Sequence, residues 1–157
     1  MPEELNVARD PIPTHCFALV VVRLGRRFLL VHEKKHGQLW YLPAGRVEPG
    51  ESFVMAAERE TLEEAGVPIV VDGLLRVQHS PRPGGNRLRV IFTAHPGDDT
   101  PPKSEPDDES LEARWVTLEE IDQLALRGDE VRAWCRYVAE GGSIAPLGLL
   151  TSETAPP

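Results

Sequence analysis

Cysteine is scarce in this chain, with Cys16 and Cys135 the only two among 157 residues. A pair so far apart builds neither a disulfide framework nor a zinc site, so both are expected to be reduced, small core residues. Positive charge is also in deficit. Seventeen lysines and arginines stand against 25 aspartates and glutamates, a formal net charge of −8, which argues against sequence-independent nucleic-acid binding because that depends on a basic surface. A phosphorylated small molecule is still admissible if it arrives with a metal or meets a local basic patch. Arg23, Arg26, Arg27, Lys34, Lys35, Arg82, Arg87 and Arg89 are candidates for that patch. Long apolar runs are missing too, since no stretch approaches the roughly 20 residues of a membrane span. The N-terminal MPEELNVARDPIPTH has no basic segment leading into an apolar one. The expected location is the cytoplasm, with no membrane partner.

What is present suits one domain with a single core, at 41% hydrophobic content. The reading places an N-terminal extension at 1–14, the domain at 15–142 and a C-terminal tail at 143–157. CFALVVV (16–22) and RFLLV (27–31) are apolar and rich in β-branched residues, and the turn at Gly25 joins them into an expected hairpin. LWYL (39–42) follows, and further strands are expected at 74–80, 88–94 and 111–116. The segment DDTPPKSEPDD (98–108) is polar and proline-rich, which predicts a mobile loop. Thr117 can cap a short helix over LEEIDQL, and 129–139 reads as a second amphipathic helix. Strands and helices in this order imply a layered α/β domain with a mixed sheet.

The densest signal is GRVEPGESFVMAAERETLEEAGV (45–67). Ser52 is a plausible N-cap, Gly66 can take the left-handed conformation that ends a helix, and Pro68 prevents continuation. Within that helix Glu63 and Glu64 lie one turn beyond Glu60, so the three carboxylates project together. Like charges one turn apart repel by roughly 0.2–0.5 kcal/mol per pair even in the open, and a divalent cation would reverse the sign. Magnesium prefers a few carboxylates, retained waters and phosphate oxygens. Phe53, Ala56 and Ala57 fall near Glu60 on the helical wheel while Met55, Glu58 and Leu62 point away, so the acidic face is expected at the edge of a cleft.

The spacing G-x5-E-x7-R-E-x-x-E-E-x-G, met by Gly45, Glu51, Arg59, Glu60, Glu63, Glu64 and Gly66, resembles the Nudix box. Val67 meets its last apolar position, and Thr61 stands where a bulky aliphatic residue is usual. WYLPAG (40–45) and ESLEARWV (109–116) are also similar to Nudix segments, so the resemblance spans roughly 15–140. It implies an α/β/α sandwich with a mixed sheet and a loop-helix-loop metal site. The implied activity is Mg2+-dependent hydrolysis of a nucleoside diphosphate linked to another moiety, with Mn2+ able to substitute and the homodimer an open option.

By the same resemblance, Glu60 and Glu64 are the main metal ligands, Glu63 is a ligand or the base that activates water, and Gly45 offers its carbonyl. Glu51 and Arg59 brace the loop against the helix. A further acidic residue outside the box is expected to serve as ligand or base, and Glu109 is preferred over Glu112. The run of motifs looks most like phosphatases of oxidised guanine nucleotides such as 8-oxo-dGDP. ADP-ribose or sugar-nucleotide pyrophosphatase is the alternative within the class, and a non-catalytic nucleotide sensor the alternative outside it. Phe28, Trp40, Tyr41 and Phe92 are candidates to stack on a base, and His32, Gln78, His79, Asn86 and Asp108 to read its edge.

Overall fold

Alternation along the first strand decides the architecture. In β1 (Thr14–Leu24), Ala18, Val20 and Val22 join one buried cluster while Leu19 and Val21 join another, so both faces of the strand are covered. The same alternation recurs in β2 (Arg27–Glu33), where Leu29 and Val31 face one way and Phe28 and Leu30 the other. It recurs again in β6 (Gly85–Pro96), with Val90, Phe92 and Ala94 opposed to Ile91. A sheet apolar on both faces needs a layer on each side. Helix α1 (Phe53–Ala65) supplies one through Ala56, Ala57 and Ala65. Helices α2 (Leu118–Ile121) and α3 (Glu130–Ala139) supply the other through Ile121, Val131, Trp134 and Cys135. The result is the expected α/β/α sandwich. Full burial of each large apolar side chain, Phe28, Phe92 and Ile91 among them, contributes about 1.5–3 kcal/mol.

The computed structural model describes residues 9–157, so most of the expected extension at 1–14 lies outside the described residues. The remaining strands are β3 (Trp40–Tyr41), β4 (Ala44–Arg46), β5 (Ile69–Arg82), β7 (Ser110–Val116) and β8 (Ala145–Pro146). The mixed sheet runs β3-β2-β1-β6-β5-β8, with β4 added to β1 and β7 to β2. The β1–β6 pair is parallel and in register from Thr14↔Asn86 to Val22↔Ala94.

On its other edge β1 divides its partners. It meets β2 at Arg23↔Phe28 and Leu24↔Arg27, then β4 at Phe17↔Arg46, Ala18↔Gly45 and Leu19↔Ala44. The sheet therefore forks, and the fork opens the cleft described below.

Several elements differ from expectation. Strands β5 and β6 extend well beyond 74–80 and 88–94: exposed polar residues continue the ladder to the short turn at Pro83 and Gly84, and at the other end the apolar Ile69, Val70 and Val71 begin β5 against Ala94–Pro96. Residues 145–149, expected in the tail, form β8 and a 3-10 turn (Leu147–Leu149). Gly73 lets β8 pair with β5, since a Cβ there would collide with Ile144 and the Ala145 carbonyl. Cys135 is fully buried and its thiol is pushed up to about 12 by burial, whereas Cys16 is only partly buried rather than a core residue.

Candidate active-site cleft

Helix α1 begins and ends where its caps dictate. The Ser52 hydroxyl accepts from the Met55 N–H at 3.1 Å, and Gly66, at φ 71°, closes the far end by donating to the Leu62 carbonyl at 2.9 Å. Ala56 and Ala57 are fully buried while Met55 and Leu62 are more than half exposed, which is the orientation the wheel predicts. Thr61 is also fully buried, and its hydroxyl donates to the Ala57 carbonyl at 2.7 Å, so a polar residue in an aliphatic position leaves no unmet bond.

Arg59 is the hub of the box. Its Nε and Nη2 donate to the two oxygens of Glu51 at 2.7 and 3.0 Å, and Nη2 also reaches the Arg46 carbonyl at 3.0 Å. This bidentate pair fixes the loop after β4 against the helix in direction as well as distance. Hydrogen bonding from Arg59, then the Glu48 N–H, holds the Glu51 carboxyl below its ordinary range. From Nη1 the same guanidinium reaches Glu60 at 2.8 Å and Glu63 at 3.1 Å.

The other box residues converge on β4. A Cβ on Gly45 would overlap the Glu60 carboxyl, so any side chain there has to displace that carboxyl, with no demand from backbone conformation. The Glu64 carboxylate accepts from the Ala44 N–H at 2.8 Å. Burial pushes Glu64 up to about 8, against that hydrogen bond and with repulsion from Glu60, Glu33 and Glu109 adding to the rise. Glu60 is raised for the same leading reason, burial, against Arg59 and with Glu63 and Glu109 repelling it. Glu63 is more exposed, at 41% of its side chain. Among the described residues no three acidic, imidazole or thiol groups enclose an ion unaided, so a cation here needs waters or a ligand's oxygens to complete its shell, as magnesium ordinarily does.

The loop expected to be mobile is fastened to α1. Lys103 Nζ donates to the Glu63 carbonyl at 2.6 Å, Lys103 N–H to that of Ala65 at 2.8 Å, and the Ser110 hydroxyl to that of Glu64 at 2.5 Å. With Gly66 on the Leu62 carbonyl, all four terminal carbonyls of the helix are satisfied. Asp107 completes the clamp by pairing with Lys103 at 2.6 Å and accepting from the Glu109 and Ser110 N–H groups at 2.9 and 3.2 Å. The clamp presents Glu109 to the cleft. Glu112 does not line the cleft and pairs instead with Arg114.

The cleft at the fork holds about 400 Å3. Gly45, Glu64 and Glu109 line its acidic end, and Phe17, Tyr41, Arg87, Arg89, Arg127 and Glu130 line the end under β6 and α3. Lys34, Lys35, Arg87 and Arg89 of the candidate basic patch thus reach it, whereas Arg23, Arg26, Arg27 and Arg82 do not. Of the stacking candidates, Phe28 and Phe92 are core, and Trp40 stacks on His32 at 4.6 Å outside the cleft. Tyr41 lines it. Of the edge-reading candidates, Asp108 reaches the cleft and His32, Gln78, His79 and Asn86 do not. Phe17, Glu33, Arg127 and Glu130 carry no local motif. Phe17 lies inside β1, Glu33 ends β2, Arg127 precedes Gly128 and Glu130 begins α3, and only the fork brings them together.

A mixed sheet forked at one strand, with a glutamate-bearing loop-helix-loop closing the fork, is the architecture of the Nudix class. Residues 14–135 match the NUDIX domain profile, and the chain belongs to that family. It is 40% identical over 105 residues to the human 8-oxo-dGDP phosphatase NUDT18, a match covering 64% of this chain and 32% of that one. The chain thus spans about a third of the length of the curated 8-oxo-dGDP phosphatases it matches. With the phosphatase NudJ of Escherichia coli O1:K1 it shares 34% identity over 139 residues, covering 87% of this chain and 90% of that one. A solved NUDIX hydrolase from Nitrosomonas europaea superposes with a TM-score of 0.73 at 27% identity, covering 89% and 97% of the two chains.

Proposed function

We propose that this chain is a Mg2+-dependent phosphoanhydride hydrolase that cleaves a nucleoside diphosphate linked to another moiety, with oxidised guanine nucleotides such as 8-oxo-dGDP as its substrates. The observation that carries the reading is Glu64, a partly buried side chain on the cleft wall whose carboxyl is pushed up to about 8 by desolvation and crowded by Glu60, Glu33 and Glu109 at one end of a cleft of nucleotide size. Crowded carboxylates of this kind are relieved by a divalent cation, and an all-oxygen donor set suits magnesium or manganese. Gly45, Glu60, Glu63 and Glu64 are the residues that would hold it. Bound there, magnesium would neutralise phosphate oxygens and lower the pKa of a water.

The chain's own groups do the rest. Arg59 and Glu51 keep the loop after β4 and the helix in one register, so Gly45 and Glu60 stay opposed. Glu63, the most exposed of the three helix carboxylates, is the candidate to accept a proton from water through the oxygen that Arg59 does not hold, with Glu109 at the acidic end of the cleft the second candidate. Lys34 and Lys35 bring positive charge to the cleft wall, where it attracts the anionic diphosphate. The similarity to proteins named as an 8-oxo-dGDP phosphatase and as a phosphatase supports the substrate class. All the box glutamates are intact, which favours turnover over mere sensing. Among the described residues no helix is long and apolar enough to cross a membrane.

The test is phosphate and nucleotide release with Mg2+ across 8-oxo-dGDP, 8-oxo-dGTP, dGDP, ADP-ribose, a dinucleoside polyphosphate and a sugar nucleotide. Selective cleavage of 8-oxo-dGDP, abolished by chelator, is expected. Preferred cleavage of ADP-ribose or the sugar nucleotide would replace the substrate assignment, and activity unchanged in chelator would refute the chemistry.

A further inference from the structure

At the end of the cleft remote from Glu64, a donor and an acceptor stand side by side. Arg89 Nη2 lies 3.8 Å from Glu130 Oε1, and Tyr41 holds both: its hydroxyl accepts from Arg89 at 3.1 Å and donates to Glu130 at 2.5 Å. The pair is built in. A Cβ on Gly128 would overlap the Glu130 carboxyl, so the turn before α3 is left bare where that side chain folds back. Among the described residues Arg89 Nε is buried without a partner, and neither Arg89 Nη1 nor Glu130 Oε2 makes a hydrogen bond. Beside them the Arg87 guanidinium lies over the Phe17 ring at 4.6 Å and pairs with no carboxylate among the described residues.

We propose that Arg89 and Glu130 read the base of the substrate and select guanine over adenine, with Arg87 spread on Phe17 as the surface on which the base stacks. The proposal rests on the nucleotide-hydrolase reading above and names what that site recognises. Guanine places a carbonyl acceptor beside two N–H donors on one edge, so a guanidinium meets the carbonyl and a carboxylate meets the N–H groups. Adenine places an amino donor beside a ring acceptor. Against this pair each of its groups would face its own kind, leaving buried polar atoms unpaired.

The placement also fits a nucleotide. Arg46, Phe17 and Arg89 occupy one row across three adjacent strands, so Arg89 lies two strand spacings, about 10 Å, from the β4 residues at the acidic end. A diphosphate held near Glu64 then leaves its base, beyond the sugar, within reach of β6. A second phosphate is the competing occupant of an arginine cluster. Glu130, at 3.8 Å from Arg89, opposes an anion there and favours a neutral edge of mixed polarity.

The test is calorimetric binding of GMP, AMP and inorganic phosphate to the full chain and to Glu130→Gln, with turnover of 8-oxo-dGDP, dGDP and dADP measured in parallel. GMP is expected to bind at least about tenfold more tightly than AMP, and Glu130→Gln to weaken GMP by about 10- to 100-fold while leaving AMP nearly unchanged. Equal affinity for the two monophosphates, or no binding of either, overturns the proposal. So does tighter binding of phosphate and both nucleotides by Glu130→Gln, the signature of an anion subsite relieved of a negative neighbour. If GMP is preferred but no diphosphate is cleaved, base reading stands and the hydrolase reading falls. If dGDP and dADP are cleaved alike, the reverse holds.

Discussion

Replacing Lys103 by methionine, which keeps the aliphatic stem and removes the ammonium, should lower stability and disturb the cleft from a distance. The lysine side chain is 13% exposed and donates to the Glu63 carbonyl and the Ser110 hydroxyl at 2.6 and 3.1 Å. Water can replace the lost donor at Glu63, which is exposed, so neither bond is worth the upper end of the usual range of about 1.5–3 kcal/mol for bonds to charged groups. The pair with Asp107 is half open to solvent on the acid side and adds less than about 1 kcal/mol. A total loss of about 2–3 kcal/mol is expected, which lowers Tm by roughly 5–10 °C in a chain of this size.

Urea unfolding read by tryptophan fluorescence measures that loss directly. Ser110→Ala, which removes the bond from a fully buried hydroxyl to the Glu64 carbonyl, should cost about 1–3 kcal/mol alone. The double variant should lose less than the sum, because both residues serve one helix end. A Lys103→Met protein within about 0.5 kcal/mol of wild type, or strict additivity with Ser110→Ala, would refute the claim that the loop clamps α1.

Gly45→Ala should displace the Glu60 carboxyl and cut kcat by about 100-fold or more with little change in melting temperature, measured by turnover and calorimetry; wild-type kcat would remove Glu60 from the site. Glu63→Gln and Glu64→Gln should each lower turnover by orders of magnitude in a folded protein, and wild-type rates in both would dismiss the metal-site assignment. Asp107, held down to about 2 chiefly by Lys103, has a folded pKa below its ordinary 3.8. Its stabilisation is therefore present above about pH 4 and disappears as pH falls from 4 to 2, and Asp107→Asn should flatten acid unfolding in that window. An unchanged acid profile would detach Asp107 from the clamp.

Much of this molecule could be read before any coordinates. The caps at Ser52 and Gly66 and the buried alanine face are local to one helix, so spacing alone carried them, while the Glu51–Arg59 brace came from the resemblance to the Nudix box. The β1 and β2 runs were equally plain because a strand buried on both faces is continuously apolar. The cleft wall was not plain. Tyr41 meets Arg89 and Glu130, and Arg127 meets Glu33, across separations of 48 to 94 residues, and no short window contains such a meeting. Phe28 and Phe92 were misplaced as stacking candidates because an aromatic on a two-faced strand has no sequence mark to separate core from cleft. The loop at 98–108 misled for a different reason: its composition is that of a solvated segment, while its hold on the helix end depends on Lys103 and on Ser110 just beyond it.

The doubly covered sheet has an evolutionary consequence. The helix bearing the glutamates packs on one face, while Tyr41, Arg89 and Glu130 belong to the other, and side chains on neighbouring positions of β1 and β6 point to opposite layers. Drift in one layer can change which molecule is admitted without moving the groups that act on its phosphates. Such a domain can diversify its diet by rewriting one half of itself, and relatives that keep the same acidic helix need share nothing of the wall opposite.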